Sequence, residues 1–210
     1  MRLSTDARFV AVLSLLVAGS AAAQSPVQKV QLLRAEMLAS LAWRTLSPDP
    51  QGDALRPRLP DAKELAYAID PKTNRVWFKV SVYDPLPERW FGVNVAVDND
   101  DIPDNGTSWW GTNKIRFDRL ASAYLFAAEG YWQGVAGVAD SEGAGRMLFT
   151  NVDRNVTVAL DREQRAIFLG IPRPALGAAS SVRAIATVGS MIVNNDDVPN
   201  EGAVTVRLTP

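Results

Sequence analysis

The chain contains neither cysteine nor histidine in its 210 residues. Without cysteine it can form no disulfide, no thiolate metal site and no iron–sulfur cluster. Without histidine it has no imidazole for a Ser-His-Asp triad, a His-ligated zinc or a haem with a histidine axial ligand. An excess of basic residues is also lacking, since 22 Lys and Arg balance 23 Asp and Glu, which argues against a nucleic-acid partner. Any catalysis would therefore use carboxylates, Lys, Tyr, Ser or Thr.

Residues 1–23 are predicted to be a secretory signal peptide. Arg2 and Arg8 precede an apolar run from Phe9 to Ala18, and small residues end the segment before Gln24, which is the order of such a signal. The apolar run is shorter than the ~20 residues that span a bilayer, and no later run is long enough to anchor the chain. We therefore expect an exported protein, periplasmic or extracellular, without a transmembrane anchor in the mature chain.

The segment 24–46 is predicted to contain a short helix, because Val27, Val30, Leu33 and Met37 recur at helical spacing. The same residues are also compatible with an opening edge strand. Beyond it, the breakers between Pro48 and Asp61 predict an extended polar loop.

From Leu65 onward the hydrophobic period changes to two, which is typical of half-buried strands. One such strand runs from Val76 to Tyr83, and about ten strands follow this rule with turn clusters between them. Shorter candidates include Ile115 to Phe126 and Met147 to Thr150. Antiparallel strands that each bury one face are covered most simply by a second sheet. The sequence therefore predicts one all-β domain over residues 47–210, a two-sheet antiparallel sandwich of the jelly-roll or immunoglobulin-like type. A closed barrel is the alternative.

An acidic turn follows the strand that ends at Val97. Asp98, Asp100 and Asp104 lie in it at close spacing, and clustered carboxylate and amide oxygens are ligands that Ca²⁺ prefers. They predict a calcium site, although a solvated turn has the same composition. The stretch from Asn194 to Gly202 repeats the order of two Asp, an aliphatic residue, Pro and Gly, either as an internal echo or as convergent turn chemistry.

Aromatic side chains next to the acidic turn are candidates for ligand binding. Trp109 and Trp110 are followed by Asn113 in a run of Gly, Ser, Thr and Asn. An exposed indole beside amides and hydroxyls suits a sugar ring, whose C–H face stacks on the aromatic face. Tyr131 and Trp132 form a second aromatic pair. The alternative is that these aromatics belong to the core.

Paired carboxylates could also serve a glycosidase, which needs two well-placed acids. Asp118, Glu129, Asp140 and Glu142 are available, but their spacing selects no pair. This activity is the weakest of the hypotheses.

The chain resembles secreted β-sandwich proteins related to DOMON domains and family 9 carbohydrate-binding modules. The resemblance covers roughly Trp43 to Leu208 and depends on the order of several short motifs. These are Asp49-Pro50-Gln51-Gly52-Asp53, Pro60-Asp61 before Leu65-Ala66-Tyr67, Val97-Asp98-Asn99-Asp100, Asn105 to Asn113 with Phe117-Asp118-Arg119-Leu120, and Asp197 to Gly202.

This resemblance implies an antiparallel sandwich that binds a ligand, most often a sugar, with calcium as a structural ion. Some relatives hold haem through Met and His. This chain has Met37, Met147 and Met191 after residue 23 but no His, so haem is not expected. The expected function is non-catalytic carbohydrate binding, and the alternatives are an envelope structural or protein-interaction domain and a carboxylate-based glycosidase.

Overall fold

The computed structural model describes residues 28–29, 32–87, 91–102, 105–109, 112–128, 131–141, 155–190 and 193–209. The predicted signal peptide lies outside these residues. Fifteen strands in the described part form two large sheets and one small hairpin. Apart from the parallel pair of Leu32–Arg34 with Thr157–Asp161, every strand pair described here is antiparallel.

Sheet A has the strand order β1-β10-β9-β6-β13-β14, and β15 also pairs with β13. Its strands are β1 (Gln28–Lys29), β6 (Phe91–Asp98), β9 (Arg119–Ala128), β10 (Tyr131–Asp140), β13 (Ser181–Gly189), β14 (Asn194–Val198) and β15 (Val204–Arg207). Sheet B has the order β2-β11-β12-β5-β4-β3. Its strands are β2 (Leu32–Arg34), β3 (Arg44–Pro48), β4 (Ala62–Asp70), β5 (Arg75–Val82), β11 (Thr157–Asp161) and β12 (Ala166–Pro172).

The inner faces of the two sheets share one hydrophobic core. Val76, Phe78 and Val80 on β5 belong to the same buried cluster as Val93 and Val95 on β6. The alternation of every second residue places these side chains on one face of each strand. Because both sheets contribute to a single core, the predicted β-sandwich is confirmed.

Both outer faces carry smaller buried clusters. On sheet B, Trp77 and Phe168 are buried with Leu38, and the Trp43 ring lies 5.4 Å from that of Phe168. Gly170 allows this packing, because a Cβ atom there would lie 2.7 Å from the Trp77 ring. The segment before β4 therefore covers part of the outer face of sheet B.

The lateral edges of the sandwich are closed in two ways. At one edge, β1 pairs with β10 of sheet A and β2 pairs with β11 of sheet B. At the other edge, residues 49–61 join β3 to β4 and reach across to β14. We call this segment the edge loop. Leu55 donates its N–H to the carbonyl of Asn195, whose Nδ2 donates to the carbonyls of Arg56 and Pro60.

Two details differ from the sequence predictions. The predicted N-terminal helix is reduced to one 3-10 turn at Ala35–Leu38, because the flanking residues pair as the short strands β1, β2 and β3. A single predicted strand from Ile115 to Phe126 is two strands that separate at Asp118, whose N–H bonds to the carbonyl of Val97. A predicted strand at 147–150 lies outside the described residues. No helix in the described part of the chain is both long and apolar enough to cross a bilayer.

Candidate functional site

A two-stranded hairpin lies on the outer face of sheet A. It consists of β7 (Thr107–Trp109) and β8 (Thr112–Phe117), and it belongs to neither large sheet. Ile115 and Phe117 are buried in a cluster with Leu120, Tyr124 and Ile185 of sheet A. Apolar packing by β8 therefore fixes the hairpin above β6, β9 and β13.

The predicted ligand aromatics fall at two places in this region. Trp109 ends β7 and pairs with Thr112, so the residues between them are Trp110 and Gly111, which lie outside the described residues. Asn113 follows Thr112 on β8. For Trp109 and Asn113 only the backbone is described, and it places both beside the hairpin turn.

The second aromatic pair lies farther along sheet A. Tyr131 and Trp132 begin β10, where they pair with Ala128 and Ala127 of β9. β9 separates them from β6. The structure describes their backbone only, so ligand binding by this pair remains a prediction.

A buried polar network lies on the same outer face of sheet A. The Asn94 Oδ1 atom accepts hydrogen bonds from the hydroxyls of Ser122 and Tyr124, each at 2.6 Å, and its Nδ2 donates to Thr187 Oγ1 at 3.3 Å. Burial raises the pKa of Tyr124 to about 12, so its phenol remains a donor. Because Asn94 pairs in register with both Ser122 and Thr187, the network braces three strands.

At the predicted calcium site, the structure groups a different set of carboxylates from the predicted one. Asp98 and Asp100 lie close to Asp118, with one carboxylate oxygen of each within 4.8 Å of the others. Asp104 lies outside the described residues. Sequence spacing could not identify Asp118, because the fold of the turn against β9 brings it there.

Protein donors already occupy the oxygens of this acidic turn. Asp98 Oδ1 accepts the N–H of Asp101 at 2.8 Å, and Asp98 Oδ2 lies 3.5 Å from Arg183 Nη1. Asp100 Oδ2 accepts from Asn105 Nδ2 at 2.7 Å. Burial raises the pKa of Asp118, although its carboxylate accepts the N–H of Asn99. Hydrogen bonds from nearby backbone N–H groups to aspartate side chains are typical of Asx turns. Calcium at this place remains a prediction.

Two of the four carboxylates considered for glycoside hydrolysis, Asp118 and Asp140, lie within the described residues. Asp140 ends β10 and pairs in register with Arg119, while Asp118 belongs to the acidic turn. Glu129 and Glu142 lie outside the described residues.

A second acidic cluster joins parts of the chain that the sequence analysis treated separately. It consists of Asp49 and Asp53 at the start of the edge loop, Asp61 at its end and Asp196 on β14. One carboxylate oxygen from each lies within 4.8 Å of the others. The recurrence of Asp-rich segments was the available sequence signal for this cluster. The four aspartates come together only because two sheet edges meet in the fold.

Comparison of the chain with protein-family models, with curated protein sequences and with solved structures found no match.

Proposed function

We propose that this protein is an exported, non-catalytic carbohydrate-binding protein, with its ligand site at the turn of the β7–β8 hairpin. The observation that carries the proposal is the position of the β7–β8 hairpin. The hairpin belongs to neither large sheet, Trp109 ends its first strand, Trp110 follows in the sequence, and Asn113 lies on its second strand. Aromatic faces with nearby amide groups are suited to the apolar and polar sides of a sugar ring.

The base of the hairpin is well braced, which favours binding without a large ordering cost. Arg116 Nε donates to the carbonyl of Asn105 at 3.0 Å, and its Nη2 donates to that of Gly106 at 3.2 Å. Gly106 has a φ of +70°, and a Cβ atom there would lie 2.7 Å from the carbonyl oxygen of Phe117. Only glycine suits this close approach in the left-handed region.

The proposal is tested by retention of the purified protein on insoluble glycans, such as cellulose, xylan, chitin and peptidoglycan. We expect Trp109→Ala and Trp110→Ala each to reduce retention at least tenfold, because a lost stacking face removes a central contact. Trp43→Phe is the matched control, since it changes an indole on the outer face of sheet B and keeps an aromatic ring beside Phe168.

Retention that is equal in the wild type and in both hairpin variants would contradict the site. Absence of retention on every glycan, together with a stoichiometric partner that co-purifies from cell envelopes, would replace the proposal with a protein-interaction role. Turnover of chromogenic glycosides would replace it with hydrolysis.

Export is part of the proposal and has a separate test. The full-length chain is expressed in a bacterial host, and its N-terminus is determined by mass spectrometry in each cell fraction. We expect a chain that begins at Gln24 in the exported fraction. An uncleaved chain confined to the cytoplasm would contradict export.

A further inference from the structure

The acidic cluster of Asp49, Asp53, Asp61 and Asp196 lies where the edge loop meets both sheets. Ala62, the first residue of β4, donates its N–H to Asp196 Oδ2 on β14 at 2.8 Å. Gly52 of the edge loop donates to Asp61 Oδ2, also at 2.8 Å. The cluster therefore lies at a junction between sheet A and sheet B.

Several carboxylate oxygens in this cluster are buried without a partner. Asp49 is 4% exposed and Asp61 is 7% exposed. Neither Oδ atom of Asp49 has a hydrogen-bond partner, and Asp61 Oδ1 also lacks one. A buried carboxylate without donors is costly to keep ionised in a folded protein, so a ligand that donates to these oxygens or coordinates them would stabilise the fold.

The ion pairs found among the described residues include none to Asp49, Asp53, Asp61 or Asp196. Lys114 is the cation whose charge acts on Asp49, but its Nζ lies 3.1 Å from Asp197 instead. The pKa of Asp49 is raised to about 7, with burial as the largest cause and the neighbouring carboxylates acting in the same direction.

We propose that Asp49, Asp53, Asp61 and Asp196 bind a divalent cation of the calcium class, which fastens the edge loop to β14 and closes this edge of the sandwich. The proposal goes beyond carbohydrate binding and does not depend on it.

The geometry of the cluster fits such an ion. Ca²⁺ binds oxygen ligands at about 2.3–2.6 Å, so two ligands on opposite sides of it are about 4.6–5.2 Å apart. The four carboxylate oxygens, one from each residue, lie within 4.8 Å of one another and can therefore share one coordination sphere. Mg²⁺ requires shorter bonds and a stricter octahedron, so we expect it to bind more weakly.

The acidic turn provides a contrast inside the same molecule. Its residues Asp98 and Asp100 accept hydrogen bonds from backbone and side-chain donors, whereas Asp49 accepts none on its carboxylate. A cation is therefore expected at the edge loop in preference to the acidic turn. Asp100→Asn serves as the matched control for Asp49→Asn, because both change one aspartate of a three- or four-carboxylate cluster.

The test is a thermal melt of the wild-type protein after chelation, followed by titration with CaCl₂ and, separately, with MgCl₂. Binding to the folded state alone raises the melting temperature with ligand concentration. At a calcium concentration about a hundredfold above Kd we expect a rise of about 5 to 10 °C. A wild-type protein that shows no rise with Ca²⁺ would overturn the proposal.

Variants then locate the ion. Asp49→Asn and Asp61→Asn are each expected to abolish the calcium-dependent rise, and Asp100→Asn is expected to retain it. A rise that Asp100→Asn abolishes and Asp49→Asn retains would place the ion at the acidic turn and overturn the proposal.

Terbium luminescence gives a second readout on the folded wild type. Tyr83, whose hydroxyl donates to the Asp49 carbonyl at 2.7 Å, is a nearby sensitiser for Tb³⁺. The site is supported by sensitised emission in the Asp100→Asn control that falls when calcium displaces Tb³⁺, and by the absence of this emission from Asp49→Asn. The same emission in both variants opposes it. Glycan retention by Trp110→Ala is scored separately, so failure of either proposal leaves the other intact.

Discussion

The cation-free protein is expected to become less stable as the pH rises from about 4 to 7. Asp49 faces Asp196, Asp53 and Asp61, with Lys114 as the opposing charge, and burial is the largest cause of its raised pKa. Between pH 4 and 7 the folded chain therefore keeps a proton that the unfolded chain has released. The free energy of unfolding falls with pH wherever the folded state binds more protons.

The magnitude follows from the two pKa values of Asp49. The pKa rises from 3.8 to about 7 in the folded protein, and this difference corresponds to about 4 kcal/mol of unfolding free energy. Because Asp49 is 4% exposed, solvent screening reduces this free energy only slightly. Burial is also the largest cause of the raised pKa of Asp196, which acts in the same direction. Asp70 has a lowered pKa and acts below pH 4, outside this window.

The assay is urea unfolding in metal-depleted buffer at several pH values from 4.5 to 7.5, for the wild type and for Asp49→Asn. We expect the wild type to lose several kcal/mol across this range and the variant to lose much less, because it has no Asp49 carboxylate to ionise. Added calcium is expected to restore the wild type most strongly at the highest pH. A flat or rising wild-type profile, or one that Asp49→Asn leaves unchanged, would refute the reasoning.

Other positions give simpler outcomes. Phe78→Ala is expected to cost about 3–5 kcal/mol in urea unfolding, because the side chain is fully buried between the sheets; a cost below ~1 kcal/mol would contradict the shared core. Asn94→Ala is expected to cost about 1–3 kcal/mol, since Ser122 and Tyr124 lose a buried acceptor, and Tyr124→Phe should cost less; the reverse order would contradict the network. Gly170→Ala is expected to lower the melting temperature, because its Cβ would meet the Trp77 ring; an unchanged melting temperature would show that the ring can move.

The sandwich could be predicted from the sequence because its signal is local. The alternation of Val76, Phe78 and Val80 requires only that one face of a strand is buried, and the structure buries all three in one core. The secondary structure of the N-terminal segment was harder to predict, since the spacing of Leu33 and Met37 fits a helix as well as an edge strand. Pairing of Leu33 with Ala159 decides between the two, and this contact is distant in sequence.

The acidic cluster could not be predicted because its signal is not local. Asp49 and Asp196 are brought together by the meeting of the two sheet edges, which no spacing rule describes. From the sequence alone, the turn at Asp98 is the stronger candidate for a cation site, because its acidic residues are close together in the chain. The hydrogen-bond partners differ between the two places, although Asp98 and Asp49 are equally buried. Asp98 accepts backbone N–H groups, whereas neither carboxylate oxygen of Asp49 has a partner.

The edge formed by β1 and β2 has a consequence for the order of folding. β2 pairs with β11, so Leu32 meets Val158 only after most of the intervening chain has been placed. Contacts of such high sequence separation form slowly, because a large loop must close first. Until they form, β10 and β11 present unpaired backbone groups of the kind that recruit other chains. Two short strands thus cover part of each edge through which another chain could pair.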